Sequence, residues 1–87
     1  MDERKREVVI DKLIKAYRKV IFAEKRRETC RADLFLACEQ QLKGAVETFY
    51  SMVDIVGDIY GDGVAKPMRQ EAIMKAAELG EWVQGCD

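Results

Sequence analysis

Residues 35–61, FLACEQQLKGAVETFYSMVDIVGDIYG, carry apolar side chains at steps of three and four without interruption. This spacing puts the apolar side chains on one face of an α-helix, and that face must pack against another surface. The helix is expected to run from about residue 32 to residue 60, because the glycines at 61 and 63 favour a helix stop. The members of this apolar stripe are Phe35, Cys38, Leu42, Ala45, Phe49, Met52, Val56 and Ile59.

A second amphipathic segment precedes this one and predicts a helix from about residue 2 to residue 27. Acidic side chains at its start and basic side chains at residues 25–27 complement the two ends of a helix dipole. Its apolar side chains form one broad arc at helical period. They are Val9, Ile10, Leu13, Ile14, Ala16, Tyr17, Val20 and Ile21.

Residues 24–33, EKRRETCRAD, interrupt the apolar pattern, which resumes at Leu34 in a shifted register. A hairpin turn explains both the interruption and the shift, with Thr29 or Asp33 as the N-cap of the second helix. Because the turn contains neither glycine nor proline, one continuous helix with a four-residue stutter is the alternative.

A third, shorter helix is expected from about residue 67 to residue 79, because Pro67 suits the first turn of a helix. The third helix would cover the open end of an antiparallel hairpin, with Trp82 and Val83 as an apolar cap. The predicted fold class is therefore all-α, a single domain of residues 1–87. It consists of a long antiparallel helical hairpin plus a short C-terminal helix, in the manner of a three-helix bundle.

The turn end of this hairpin has apolar side chains but no third helix to cover them. They are Phe22, Leu34, Phe35 and Leu36. A contiguous exposed apolar area usually marks an interface, and a chain of 87 residues buries only a marginal core of its own. A homodimer is therefore expected, in which a second subunit covers the turn end.

Charge is distributed unevenly along the chain. Residues 1–31 carry eleven Lys/Arg against six Asp/Glu, whereas residues 32–87 carry four against ten. On a helical wheel, six residues share the face of the first helix opposite its apolar arc. This basic face is the candidate surface for binding a macromolecule. Its members are Lys12, Lys15, Arg18, Lys19, Phe22 and Arg26.

Three interpretations of the basic face stay open. Cationic side chains with one aromatic among them are typical of nucleic-acid binding, where they neutralise phosphates and stack on bases. The same face suits contact with an acidic protein, and many solvated helix faces are equally basic. Binding to an anionic membrane is the least favoured, because the apolar arc consists of residues typical of a protein core.

Several chemistries are excluded by residue types that the chain lacks. It contains no histidine, so the usual zinc spacings, a di-iron Glu-x-x-His site and a histidine base for a nucleophile are absent. The three cysteines are expected to be reduced thiols: Cys38 within the apolar stripe, Cys30 near the turn and Cys86 in the tail. No catalytic residue, metal or cofactor is therefore expected, and the chain is not predicted to be an enzyme.

The remaining features favour a cytoplasmic interaction protein. No apolar run approaches the roughly 18 residues of a membrane span, and the charged N-terminus does not suit a signal peptide. We expect a small non-enzymatic helical module that acts as a regulator, adaptor or inhibitor by binding a protein partner, of the kind that phages or mobile elements encode. The alternative is a nucleic-acid-binding protein that uses the basic face.

Overall fold

The computed structural model describes residues 2–81, which form three α-helices in chain order. These are α1 (Glu3–Thr29), α2 (Phe35–Tyr60) and α3 (Asp62–Leu79), and a short 3₁₀ turn (Ala32–Leu34) joins α1 to α2. No strand occurs within residues 2–81. The all-α prediction and the break near residue 30 are confirmed. The predicted cap of Trp82 and Val83 lies outside the described residues, as does Cys86.

The reversal between α1 and α2 is made without glycine. Cys30 and Arg31 adopt extended backbone (φ −74°, ψ 156° and φ −68°, ψ 153°), and the 3₁₀ turn then leads directly into α2. Neither predicted N-cap caps α2. Thr29 is the last residue of α1 and its hydroxyl donates to the carbonyl oxygen of Lys25, whereas Asp33 lies inside the 3₁₀ turn. The turn leaves no extended residue before α2, so a side-chain cap has no place there.

The third helix begins at Asp62, earlier than the predicted start near residue 67. Only Gly61 separates α2 from α3: its N–H donates to the Gly57 oxygen at 2.8 Å, and its own oxygen accepts from the N–H groups of Val64 and Ala65 at 3.1 Å. Gly61 therefore closes one helix and opens the next, and residues 61–63 are not a loop.

Pro67 consequently lies in the interior of α3 and not in its first turn. A proline in a helix cannot donate to the carbonyl four residues earlier, which here belongs to Gly63. Gly63 is exposed, so its carbonyl has access to water. The helix can thus continue through the proline, and the use of Pro67 as a start signal was wrong.

Side-chain contacts show that α3 runs parallel to α1 along much of its length. Near the start of α1, Arg6 forms an ion pair with Glu71. Further along α1, Lys25 lies 3.8 Å from a carboxylate oxygen of Glu81. The third helix therefore packs along α1 from the open end of the hairpin toward the turn. It covers the open end only in part, because Val8, Ile55 and Ile59 there are 53%, 56% and 66% exposed.

The core lies where the three helices meet. Each helix contributes one large side chain that is almost fully buried: Leu13 from α1, Phe49 from α2 and Met68 from α3. The rings of Tyr17 and Phe49 contact edge to face, with centroids 5.0 Å apart. The buried residues among those described are all apolar. Alanines dominate the buried side of α3, which allows its backbone to pack close to the hairpin.

The link between α2 and α3 depends on the backbone conformation of Gly61. Gly61 has φ 92° and ψ 158°, a conformation that is essentially restricted to glycine, although a Cβ there would meet nothing within 4 Å. We expect Gly61→Ala to lower the free energy of unfolding by about 1–3 kcal/mol through backbone strain alone. Urea unfolding followed by circular dichroism measures this change.

Gly44→Ala is the matched control, because Gly44 lies inside α2 and a Cβ there also meets nothing within 4 Å. This variant should raise the free energy of unfolding by about 0.5–1 kcal/mol. Equal effects of the two substitutions would contradict a positive-φ link at Gly61.

Candidate interaction surface

A cleft between α1 and α2 is lined by three of the six residues of the basic face. Lys12, Lys15 and Lys19 stand along α1 at one edge of this cleft, whose volume is about 400 Å³. The remaining lining residues are small or apolar: Ala16, Ala45, Thr48 and Met52. We call this feature the lysine cleft.

The lysine cleft continues into a smaller apolar pocket. This pocket has a volume of about 160 Å³ and shares Lys12 and Met52 with the cleft. Its other lining residues are Val9, Leu13, Ile55 and Val56. None of the residues that line the cleft or the pocket is acidic or aromatic. The α1–α2 groove therefore combines a cationic edge with an apolar floor.

Arg18 lies apart from the three lysines and contacts the end of α3. Its Nε donates to the carbonyl oxygen of Gly80 at 3.0 Å, and its Nη2 donates to that of Glu81 at 3.1 Å. The last carbonyls of a helix have no partner within the helix, and a cation favours the negative end of its dipole. Arg18 therefore fixes the C-terminal end of α3 against α1.

The other two members of the basic face lie nearer the end of α1. Phe22 is half-buried, so only part of its ring is available for stacking on a base, and Arg26 is exposed. Lys15 and Lys19 line the cleft but also interact within the chain. The helical wheel thus grouped residues that the fold divides between the α1–α2 groove and the α1–α3 contact.

A second exposed feature is apolar and lies at the turn. Leu34, Phe35 and Leu36 are 48%, 47% and 66% exposed, although they are consecutive large hydrophobic residues. We call these three residues the turn-end cluster. Apolar patches of this kind usually mark contact with another molecule.

Tyr17 and Cys30 each have a raised pKa, which favours the neutral form of both side chains. Burial raises the pKa of Tyr17, with smaller contributions from Glu24 and Tyr50. Burial is also the main cause that raises the pKa of the Cys30 thiol. Within residues 2–81, no group of three or more cysteine and acidic side chains is placed to hold a metal ion.

Comparison with known proteins gives no significant match to a family model, to a curated protein or to a solved structure. In the part of the chain that the structure describes, no helix combines the length and the apolar content needed to cross a bilayer.

Proposed function

We propose that this chain is a small helical interaction module that binds an acidic macromolecular partner and catalyses no reaction. The observation that carries this proposal is the lysine cleft, where three cationic side chains stand beside an apolar floor that has no acidic lining. Such a module would act as a regulator, adaptor or inhibitor by occupying a surface of its partner.

Binding at the lysine cleft would combine electrostatic attraction of an acidic partner with burial of apolar surface. Lysine ammonium groups on one edge attract an acidic partner over distances up to the Debye length, about 8–10 Å at physiological salt. The apolar floor around Met52 then supports short-range packing, and the aliphatic stems of the lysines extend that apolar surface. A cleft with both features suits an amphipathic protein segment with acidic residues along one edge.

A protein partner fits this surface better than a nucleic acid does. Single-stranded nucleic acids are usually held by aromatic side chains on which bases stack. No aromatic residue lines the cleft or its pocket, and Phe22 on the neighbouring face is half-buried. Nucleic-acid binding is therefore the alternative outcome of the experiment below.

Charge reversal in the cleft tests this proposal. We expect the triple variant Lys12→Glu, Lys15→Glu, Lys19→Glu to lose capture of the partner from a lysate of the native host by about tenfold or more, equivalent to at least 1.4 kcal/mol. Quantitative mass spectrometry of proteins held by the immobilised chain measures this loss. The partner should stay bound after the lysate is treated with nuclease.

The matched control reverses three exposed lysines outside the cleft, at Lys43, Lys66 and Lys75. It changes net charge by the same amount and should retain the partner. Equal loss in both triple variants would show a general charge effect and contradict a role for the cleft. Loss of all partners on nuclease treatment would replace the proposal with nucleic-acid binding.

We further propose that the module is a homodimer in which the turn-end cluster of one subunit packs against the other subunit. Leu36 is 66% exposed at the end of the hairpin, and its neighbours Leu34 and Phe35 are about half exposed. Burying such side chains contributes about 25 cal/mol per Å² of apolar area removed from water. A second copy would supply the surface that α3 does not provide there.

Leu36→Glu tests the dimer, because it places a charge in the proposed interface. We expect the wild-type chain to show twice the mass of one chain by size-exclusion chromatography with light scattering, and Leu36→Glu to show the mass of one chain. Met74→Glu is the matched control, since Met74 is also 66% exposed but lies on α3, and this variant should remain dimeric. A monomeric wild-type chain, or dissociation in both variants, would contradict the proposed interface.

A further inference from the structure

The lysine cleft and its apolar pocket belong to one longer groove between α1 and α2. On α2, Ile59 follows the pocket residue Ile55 by four positions and therefore lies on the same face of the helix. On α1, Val8 precedes Lys12 by the same interval. Val8 and both isoleucines are more than half exposed. The groove is thus basic along α1 and apolar toward the open end of the hairpin.

The length of the groove limits what it can hold. From Val8 to Lys19 the groove follows α1 for about 17 Å, at a rise of about 1.5 Å per residue. A helical segment needs about three turns to cover that length. An extended segment needs only about five residues.

The chemistry of the lining favours a helix over an extended segment. An extended segment would bring backbone N–H groups against the apolar floor, where each of them needs an acceptor. Among the residues that line the cleft and the pocket, only Thr48 carries a side-chain oxygen, and lysine ammonium groups donate but do not accept. A helix satisfies its backbone hydrogen bonds internally and requires no acceptor from the groove.

The hairpin already holds one helix against its other side. The buried side of α3 belongs to the same apolar cluster as residues of α1 and α2, and alanines dominate it. No residue of α3 lines the lysine cleft or its pocket. A second helix could therefore enter the groove without displacing α3, and the hairpin would then be packed between two helices.

We propose that the partner segment in the α1–α2 groove is an amphipathic α-helix of about three turns, with acidic side chains along one edge and apolar side chains on the face that enters the groove. This inference rests on the proposed function and adds to it the conformation and the residue pattern of the partner.

The spacing of the lysines specifies the spacing of the acidic residues. Lys12, Lys15 and Lys19 follow one another along α1 with rises of about 4.5 Å and then about 6 Å. Acidic residues three and four positions apart on a helix packed alongside would face this row, as flanking charges do between paired helices. Lys15 and Lys19 also interact within the chain, so the acidic edge would exchange those interactions for intermolecular ones. Apolar residues at the same spacing would reach Met52 and Ile55.

Selection from a random library identifies the pattern without knowledge of the natural partner. The probe is a phage-displayed library of random peptides of about 16 residues, long enough for three to four helical turns, selected on the immobilised full chain. Enriched peptides should carry Asp or Glu at intervals of three and four, next to apolar residues at the same intervals. A synthetic copy of the most enriched peptide should gain helical circular dichroism on binding. Proline at its centre should weaken binding by about tenfold or more.

One substitution in the groove and a matched control locate the bound peptide. Ile55→Asp places a charge in the apolar pocket and should weaken binding of the synthetic peptide by about tenfold or more in isothermal titration calorimetry. Met74→Asp should leave binding unchanged, because Met74 is also an exposed apolar residue but lies on α3.

A charge swap tests the acidic edge directly. A peptide whose acidic residues are all replaced by lysine should lose binding to the wild-type chain. It should regain binding to the triple variant Lys12→Glu, Lys15→Glu, Lys19→Glu, because the charges on the two sides are then exchanged.

The possible failures separate this inference from the proposed function. Acidic peptides that bind the groove without gaining helix, or that tolerate the central proline, would overturn the helical partner and leave an acidic partner in place. Enriched peptides without acidic residues, or equal binding to Ile55→Asp and Met74→Asp, would overturn both. If no peptide is enriched and Ile55→Asp dissociates a wild-type dimer, the groove belongs to a second copy of the chain, and the inference is wrong. Absence of any enriched peptide would in itself count against it.

Discussion

The burial of Phe49 from α2 against α1 and α3 holds the three helices together. Its side chain is completely inaccessible to water, contacts the ring of Tyr17 and belongs to the same apolar cluster as Leu13 and Met68. Truncating a buried phenylalanine typically costs 3–5 kcal/mol, a large share of the stability of a domain this small. The three helices therefore pack as one unit around a single interior.

The position of α3 determines which surfaces remain available. Arg18 and Lys25 contact Gly80 and Glu81, the two residues that follow α3, so α1 is covered on one side along much of its length. The opposite side of α1, next to α2, keeps the lysine cleft open. Because the buried residues described are all apolar, we assign recognition to the outer grooves and to the turn end, not to the interior.

The sequence predicted the helices well where the apolar period was long and regular. The stripe of α2 and the arc of α1 fixed both helices and the reversal between them. At the ends of the α2 stripe the prediction was wrong, because Phe35 and Ile59 fit the period but are 47% and 66% exposed. Periodicity defines a face of a helix, whereas the length over which a neighbour covers that face depends on the tertiary fold.

The errors of prediction arose where local rules competed or where a distant segment decided the outcome. A glycine pair and a proline suggested a loop before residue 67, yet one glycine with positive φ was enough to join α2 to α3. Arg18 looked like part of a continuous basic face, because nothing in the sequence of α1 shows where α3 ends.

Nuclear Overhauser effects between the ring protons of Tyr17 and Phe49, measured by solution NMR, test this packing and the reversal between α1 and α2. These rings belong to different helices, and their centroids lie 5.0 Å apart in the folded hairpin. We expect strong cross-peaks between the two rings, together with an interruption of helical amide contacts at Cys30 and Arg31. Absence of the ring contacts, with helical amide contacts continuing through residues 30 and 31, would rule out the folded hairpin.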